Sequence, residues 1–259
     1  MAIALITGAS AGLGRELARL FAADGHDLVL VARRLPELQA LCTELEQKHR
    51  IKARAIACDL GSKTELTALL AEIRGVEIDY LVNNAGFGSS GAFAELALDR
   101  ELAMIELNVT ALVRLTRELL PPMLARGRGW VLNLGSTAGF QPGPYMATYY
   151  ATKAFVNSFS EALAYELRGT GVSVTVSCPG PTSTQFSAVS GIEKSRLFQL
   201  GAANAASVAR AAYRAMQRRR PMIVHGILNS LLVQSLRISP RALIRAITGL
   251  LNRSPKTAG

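Results

Sequence analysis

The segment TGASAGLG, residues 7–14, lies between an apolar run at residues 2–6 and a helical pattern over residues 15–23. Glycines at positions 8, 12 and 14 allow a tight turn and a close approach of the backbone to a phosphate. The N-terminus of the following helix favours an anion at the same place. This strand–turn–helix arrangement predicts a dinucleotide-binding loop, and a purely structural turn is the alternative that glycines alone leave open.

Apolar runs with the length and composition of buried strands recur along the chain. They lie at residues 2–6, 27–32, 52–57, 80–83, 130–134, 172–178 and 222–225. The segments between them are long enough for crossover helices, so the pattern predicts an α/β fold with a doubly wound, seven-stranded parallel sheet flanked by helices. We expect one domain at residues 1–225, a substrate lid at about 183–205, and a C-terminal helical extension at 226–259.

The composition bounds the class of protein. The chain has 259 residues, of which 49% are hydrophobic, which suits one large folded domain. The N-terminal apolar run is too short for a signal peptide and lacks a basic flank. Three cysteines without paired spacing predict free thiols and a cytoplasmic location, and three scattered histidines predict no metal site.

The charge is concentrated near the C-terminus. The net charge is +10, and residues 194–259 hold twelve basic residues and no acidic one. This asymmetry indicates an anionic partner such as a membrane surface, a nucleic acid or a phosphate-bearing ligand. A solvated basic face is the alternative.

The second predicted strand ends in Arg33 and Arg34. A site for NAD places an acidic residue here to bond the ribose 2′-hydroxyl, whereas a 2′-phosphate favours arginine. The pair therefore predicts NADP(H) as the coenzyme, unless both arginines are simply solvated at a helix entry.

The segment YYATK, residues 149–153, places two tyrosines before a lysine. Reduction of a carbonyl needs a hydride from a nicotinamide and a proton from an acid. A tyrosine can supply the proton if a nearby ammonium lowers its pKa from about 10. On a helix, both Tyr149 (i, i+4) and Tyr150 (i, i+3) can meet Lys153, so geometry leaves the choice open.

Six motifs in chain order resemble the short-chain dehydrogenase/reductase family. Besides the glycine loop and the tyrosine–lysine segment, they are Cys58-Asp59-Leu60, Asn83-Asn84-Ala85-Gly86, Ser136 thirteen residues before Tyr149, and the segment beginning Pro179-Gly180. The resemblance covers residues 2 to about 225 and implies a Rossmann-type domain.

The resemblance also implies roles for individual residues. The family motif Y-x-x-x-K fits only when Tyr149 is the acid, with Lys153 lowering its pKa and bonding the ribose. Ser136 is expected to orient the carbonyl, and Asn108 to hold a water that joins the lysine to solvent. The implied coenzyme-binding residues are Gly8, Ser10, Gly12, Leu13, Gly14, Arg33, Arg34, Asp59, Leu60, Asn84, Ala85, Gly86, Asn108, Tyr149, Lys153, Pro179, Gly180, Thr182 and Thr184.

The substrate is expected to be hydrophobic. Three segments, 86–96, 138–146 and 186–200, carry side chains that would line an apolar pocket or pack as a lid. These are Phe87, Phe93, Phe140, Tyr145, Met146, Phe186, Leu197 and Phe198. We expect an NADP(H)-dependent oxidoreductase that interconverts a hydrophobic ketone or aldehyde and its alcohol. A non-catalytic NADP(H)-binding sensor or a membrane-associated scaffold is the alternative.

The extension contains a predicted amphipathic basic helix. Ser239 is expected to be its N-cap and Pro240 its first residue. One face would carry Leu243, Ile244, Ile247, Leu250 and Leu251, and the opposite face Arg241, Arg245, Thr248 and Asn252. Such a helix is too short to span a bilayer, but it can lie on an anionic membrane, close an apolar pocket, or pack on its own domain or a second subunit. We expect a homo-oligomer, either a dimer or a tetramer, and no nucleic-acid partner, because few aromatic residues accompany the charges.

Overall fold

The centre of the molecule is a parallel sheet. A computed structural model describes residues 2–183 and 201–253. The sheet contains β1 (Ile3–Thr7), β2 (Asp27–Ala32), β3 (Ala53–Ala57), β4 (Ile78–Asn83), β5 (Gly129–Leu134), β6 (Val172–Cys178) and β9 (Met222–Val224), in the order β3-β2-β1-β4-β5-β6-β9. All neighbouring strands are parallel. The seven-stranded, doubly wound fold is therefore confirmed, and the strand order reverses between β1 and β4, where such sheets bind ligands.

Helices cover both faces of the sheet. In the described residues they are α1 (Gly12–Ala23), α2 (Leu35–His49), α3 (Lys63–Glu72), α4 (Leu98–Ile105), α5 (Leu112–Ala125), α6 (Ala147–Glu166), α7 (Ala205–Gln217), α8 (Ile227–Ser235) and α9 (Arg241–Asn252). A second, two-stranded sheet pairs β7 (Thr182–Ser183) with β8 (Ala203–Asn204).

Alternation along β1 divides the core into two layers. Ala4 and Ile6 pack with α1, α2 and α7 on one face, and Leu5 packs with α3 and α5 on the other. Because successive strand side chains point to opposite faces, a strand buried on both sides is apolar throughout. The continuous apolar runs in the sequence therefore located every strand of the main sheet.

A polar network lies inside this apolar core, between β4 and β5. Asn83 and Asn133 are partners in the strand register, and Asn83 Nδ2 donates to Asn133 Oδ1 at 2.9 Å. Asn83 Nδ2 also donates to Thr116 Oγ1 at 3.0 Å, and Asn133 Nδ2 donates to Ser160 Oγ at 2.9 Å. The network thus ties two strands to α5 and α6 just below the strand ends.

The helical segment from Leu98 to Ala125 is not uniform. A π-helical turn, Glu106–Ala111, separates α4 from α5 and contains Asn108. Such turns insert an extra residue into a helix and occur frequently at functional sites.

The tail departs from the prediction in three ways. It contains two helices, α8 and α9, where one was expected. Ser239 is not the N-cap of α9, which begins at Arg241 after Pro240. The Ser239 hydroxyl instead donates to the carbonyl of Ser235, the last residue of α8, at 2.8 Å. Thr248 and Asn252 are buried on the side that faces the domain, whereas Leu243, Ile247 and Leu250 are at least half exposed.

Within the described residues, no helix has the length and apolar character needed to cross a membrane.

Candidate active site

The glycine loop has the backbone that its sequence predicts. Gly8 and Gly12 adopt positive φ angles of 65° and 55°, which other residues rarely adopt. A Cβ atom at Gly14 would lie 2.4 Å from the Gly8 carbonyl oxygen. Helix α1 begins at Gly12 without a side-chain cap, so N–H groups of its first turn remain available to an anion.

Thr7 and Asn84 hold this loop against β4. Thr7 Oγ1 accepts hydrogen bonds from the backbone N–H groups of Asn84 (2.9 Å) and Ala85 (3.0 Å). Asn84 Nδ2 donates in return to the carbonyls of Thr7 (2.8 Å) and Gly8 (3.2 Å). Thr7 was missing from the predicted site, although its place directly before the first glycine was a usable signal.

The two arginines after β2 have different surroundings. Arg33 is exposed and lines the cavity described below, and it makes no ion pair with the described residues. Arg34 forms an ion pair with Glu37 at 3.2 Å and donates to Ser10 Oγ at 3.1 Å. Arg33 is therefore the better placed of the two to meet a phosphate.

Ser136, Tyr149 and Lys153 meet at the carboxyl end of β5. Ser136 follows β5, and Tyr149 and Lys153 lie one turn apart at the start of α6. The side chains of Ser136 and Tyr149 border the same cavity, and the Ser136 side chain opposes the rise in the Tyr149 pKa that burial causes. All three residues are buried, so the polar groups are held in an environment with little water.

Burial dominates the electrostatics of the pair on α6. It lowers the pKa of the Lys153 amine to about 8, so that at neutral pH the amine is mainly protonated. It raises the pKa of the Tyr149 hydroxyl above its ordinary value, and the neighbouring Ser136 side chain acts in the opposite direction. Lys153 Nζ lies 5.9 Å from the centre of the Tyr149 ring and donates to the Leu134 carbonyl at 2.6 Å. The expected lowering of the tyrosine pKa by Lys153 is not seen here and stays a proposal.

Asn108 joins the loop after β4 to α6. Its Oδ1 accepts from the Phe87 N–H at 3.1 Å, and its Nδ2 donates to the Phe87 carbonyl (2.9 Å) and to Thr152 Oγ1 (3.1 Å). The side chain thus fixes the loop that borders the site, and the water-holding role of Asn108 stays a prediction.

Asn157 positions Ser136 and was not identified from the sequence. Asn157 Nδ2 donates to the Ser136 carbonyl at 3.0 Å, and Asn157 Oδ1 accepts from the Ser136 N–H at 3.4 Å. A Cβ atom at Gly135 or Gly139 would lie 2.1 or 2.4 Å from the Asn157 amide, so these glycines leave room for it. The spacing of Asn157 to Lys153, one helical turn, was the signal that could have indicated it.

One cavity of about 490 Å³ joins the glycine loop to the tyrosine. Most of the predicted coenzyme-binding residues border it, namely Gly8, Gly12, Leu13, Arg33, Asn84, Ala85, Gly86, Tyr149, Lys153, Pro179, Gly180 and Thr182. Among its described lining residues there are two cations, Arg33 and Lys153, and no acidic residue. The cavity thus has a basic character that suits a phosphate-bearing ligand.

Several predicted site residues lie elsewhere. Asp59 accepts from the Gly61 N–H at 3.0 Å and Leu60 is buried in the core, and neither borders the cavity. Thr184 lies outside the described residues, as do three of the predicted pocket residues, Phe186, Leu197 and Phe198.

The apolar wall differs from the predicted one. Phe87 borders the cavity, but Phe93 is 63% exposed, Phe140 and Met146 pack in the interior, and Tyr145 lies beside a separate cleft. The tail supplies the wall instead, through Leu232, Val233, Leu236, Leu243, Ile244, Ile247 and Leu251. From the sequence alone, pocket closure by the tail and packing on the surface were open alternatives.

The chain is similar in sequence to a known protein family and to several of its members. The family model described as short chain dehydrogenase matches residues 2–194. The sulfoacetaldehyde reductase of Chromohalobacter salexigens is 41% identical over 189 residues, which cover 71% of this chain and 74% of that protein. The very-long-chain 3-oxoacyl-CoA reductase of Coprinopsis cinerea is 37% identical over 175 residues, which cover 66% of this chain and only 52% of that protein. The aligned region therefore spans about half the length of the latter relative.

A solved structure extends the likeness to the whole chain. The short-chain dehydrogenase from Sphingobium yanoikuyae in complex with NADPH superposes with a TM-score of 0.85 at 32% identity, covering 100% of this chain and 98% of that one. The likeness includes the tail, which the family model does not reach.

Proposed function

The chain belongs to the short-chain dehydrogenase family, and from this premise we propose that it interconverts a hydrophobic ketone or aldehyde and its alcohol with NADP(H). The observation that carries the proposal is that Ser136, Tyr149 and Lys153 border one cavity that reaches the glycine loop. The bound nicotinamide would supply or accept the hydride.

The glycine loop fits the phosphates of a dinucleotide. A Cβ atom at Gly8 or Gly14 would lie 2.8 or 2.5 Å from Asn84 Nδ2, so glycine at both positions lets the loop pack closely against the end of β4. In the proposed complex the N-terminus of α1 binds the diphosphate, and Arg33 binds the 2′-phosphate that distinguishes NADP(H) from NAD(H).

The residues at the end of β5 would handle the proton. In reduction, Ser136 bonds and orients the substrate oxygen while Tyr149 donates its hydroxyl proton to it. The Lys153 cation would stabilise the phenolate that forms, and in the reverse direction that phenolate would accept the alcohol proton. Burial raises the pKa of Tyr149 and so keeps its hydroxyl protonated but makes it a weaker acid, and the proposed mechanism therefore depends on the Lys153 cation to stabilise the phenolate during proton transfer.

The cavity wall supports a hydrophobic substrate, whereas the similar proteins do not indicate one substrate class. They are a 3-oxoacyl-CoA reductase and a sulfoacetaldehyde reductase, whose substrates differ in size and polarity. Beside Tyr149, the tail contributes seven aliphatic side chains to the cavity, and apolar surface of this kind favours a ligand with an apolar body.

A carbonyl panel tests the proposal. It runs from short aldehydes through long-chain 3-ketoacyl esters to steroids, with NADPH consumption followed by absorbance. We expect Tyr149-dependent turnover that increases with the apolar character of the substrate. If wild-type protein binds NADPH but consumes it no faster than Tyr149→Phe with any compound of the panel, the protein is a non-catalytic NADP(H)-binding sensor and the proposed activity is wrong.

We further propose a peripheral contact with anionic membranes through residues 226–253. Exposed aliphatic side chains are concentrated there, including Ile227, Leu228, Leu231 and Ile238, and the same segment has arginines and no acidic residue. The double variant Leu228→Ser/Leu231→Ser removes two of these side chains without touching the cavity lining. It should sediment less with phosphatidylglycerol vesicles than wild type, while Leu124→Ser on the opposite part of the fold should not differ.

The proposal also includes a homo-oligomer. Helix α4 exposes Leu102 and Ile105, and α6 exposes Phe155, which are candidate contacts for a second copy. Light scattering of the full chain would measure the assembly, and a monomer at all concentrations would contradict it.

A further inference from the structure

A buried polar bridge joins the end of the tail to the start of α6, the helix that carries Tyr149 and Lys153. The hydroxyl of Tyr150 donates to Asn252 Oδ1 at 3.1 Å, across 102 residues of chain. Asn252 Nδ2 in turn donates to the Pro144 carbonyl at 3.0 Å. Tyr150 is 3% and Asn252 1% exposed, so water does not compete for these bonds.

We propose that Tyr150 and Asn252 are positioning residues that hold α9 as one wall of the substrate cavity and thereby set which carbonyl compounds the site accepts. The inference rests on the proposed function for its substrate, but the position of α9 can be tested without turnover. It assigns to the second tyrosine of the YYATK segment a role that neither helix spacing nor family resemblance supplied.

The bridge matters because α9 has few other anchors. Three residues at helical spacing, Ile244, Thr248 and Asn252, form its buried face, whereas Leu243 and Ile247 are at least half exposed. A helix of 12 residues is only marginally stable without tertiary contacts. A buried amide that loses its donor also carries a desolvation cost, so the bridge is a substantial part of what fixes α9.

The loop before α6 is shaped to receive the tail. A Cβ atom at Gly143 would lie 2.1 Å from Cγ of Tyr150, so only glycine leaves room for that ring. Two residues later, the Tyr145 hydroxyl accepts a hydrogen bond from Arg253 Nε at 2.9 Å. The tail is thus bonded to this loop at two consecutive residues, Asn252 and Arg253.

The wall that the bridge holds is next to the reacting group. Ile244, Ile247 and Leu251 of α9 border the same cavity as Tyr149. A shift of α9 would therefore change the space beside the tyrosine that a long apolar substituent needs, while leaving the space for a small substituent largely intact. The consequence is a dependence of specificity, rather than of proton transfer, on the bridge.

The test compares Tyr150→Phe, which removes a single oxygen atom, with Asn252→Ala and the double variant. Tyr165→Phe is the matched control, since Tyr165 lies on the same helix and is 67% exposed. Hydrogen–deuterium exchange of residues 241–252 in the full chain measures the hold on α9. Exchange should be faster in all three bridge variants and unchanged in the control, and the double variant should add little to the single ones because the two groups act together.

Specificity is measured with butan-2-one and decan-2-one as probes, each with saturating NADPH. Relative to wild type, the ratio of kcat/KM for decan-2-one over butan-2-one should fall about five-fold or more in Tyr150→Phe, an effect of the size expected for one buried hydrogen bond. The change should appear mainly in the KM for decan-2-one, and Tyr165→Phe should retain the wild-type ratio.

The outcomes separate the two proposals. Unchanged exchange of α9 in Tyr150→Phe and Asn252→Ala would overturn the bridge as the device that holds the tail. Faster exchange with an unchanged probe ratio would overturn its role in specificity. If wild-type protein reduces neither probe nor any compound of the carbonyl panel, the proposed function fails, and the exchange experiment still decides whether the bridge holds α9.

Discussion

The rings of Tyr149 and Tyr150 lie 6.1 Å apart and meet edge to face at 78°. Although they are neighbours in sequence, the two side chains have different surroundings. Tyr149 borders the same cavity as Ser136, which follows a strand, whereas the Tyr150 hydroxyl bonds to Asn252 at the end of the tail. Adjacent positions on one helix thus serve separate purposes, and the difference arises from what surrounds each ring.

Tyr149→Phe should remove the proton donor without disturbing the glycine loop. We expect the rate of carbonyl reduction to fall by a factor of about 100 to 10,000, the usual contribution of a positioned acid. The dissociation constant of NADPH, measured by its fluorescence on binding, should change little. A variant that retains most of its turnover would show that another group supplies the proton.

Arg33→Asp should change the coenzyme preference. The arginine lies at the cavity edge, and a carboxylate there would repel a 2′-phosphate but accept a hydrogen bond from a 2′-hydroxyl. The ratio of kcat/KM for NADPH over NADH should therefore reverse. Arg50→Asp, at the far end of α2, is the control, and an unchanged ratio in Arg33→Asp would remove Arg33 from the coenzyme site.

Asn157→Ala should impair turnover through Ser136. Loss of the amide frees both the N–H and the carbonyl of Ser136, so the serine hydroxyl is less well placed, and we expect kcat to fall about ten-fold. The free energy of unfolding should also fall by about 1–3 kcal/mol, because buried polar groups lose their partners. Ser158→Ala, at the exposed next position on α6, should match wild type in both measurements, whereas a fall in stability with unchanged kcat would leave Asn157 a purely structural role.

His225 should make the fold sensitive to acid. Burial lowers its pKa to about 4 from 6.5, and its Nε2 lies 2.8 Å from Ser177 Oγ. Between these two values the unfolded chain binds a proton that the folded protein does not, so stability present above pH 6.5 is lost as the pH falls toward 4. The full difference corresponds to about 3 kcal/mol.

Chemical denaturation of wild type and His225→Asn at several pH values would measure this contribution. The variant should lose less stability than wild type over that interval, with His49→Asn as the control. Parallel curves for His225→Asn and wild type would show that other groups cause the acid sensitivity.

The central sheet could be predicted because strands buried on both faces have a strong local signature. Two of the seven strands, Asp27–Ala32 and Val172–Cys178, have the predicted bounds, four others differ by one or two residues at one end, and β1 is shifted by one residue at both ends. The same signal predicted that Ser136 follows a strand, at the edge where the carboxyl ends of parallel strands meet, but its expected role came from the family resemblance.

The tail could not be predicted because its partners lie far away in the sequence. Asn252 has the position of an exposed residue on a helical wheel, and only contact with Tyr150 and Pro144 explains its burial. Likewise, helix spacing does not show which of Tyr149 and Tyr150 is the acid. That depends on which tyrosine is near Ser136, and Ser136 lies after β5 and not on α6. Local patterns identify strands and loops, whereas pairings between distant polar groups require the folded structure.

The asparagine pair between β4 and β5 has a consequence for folding. Asn83 and Asn133 face each other only in the native alignment of the two strands. Side chains alternate between the two faces of a strand, so a slip by one residue would turn one amide toward the opposite apolar layer. The other amide would then lose its hydrogen-bond partner. An apolar pair would tolerate such a slip more readily, so the two amides favour a single alignment of β4, which leads into Asn84, and β5, which leads into Ser136. The asparagine pair thus fixes the relative positions of the loops that form the site, and it does so in the protein without bound ligand.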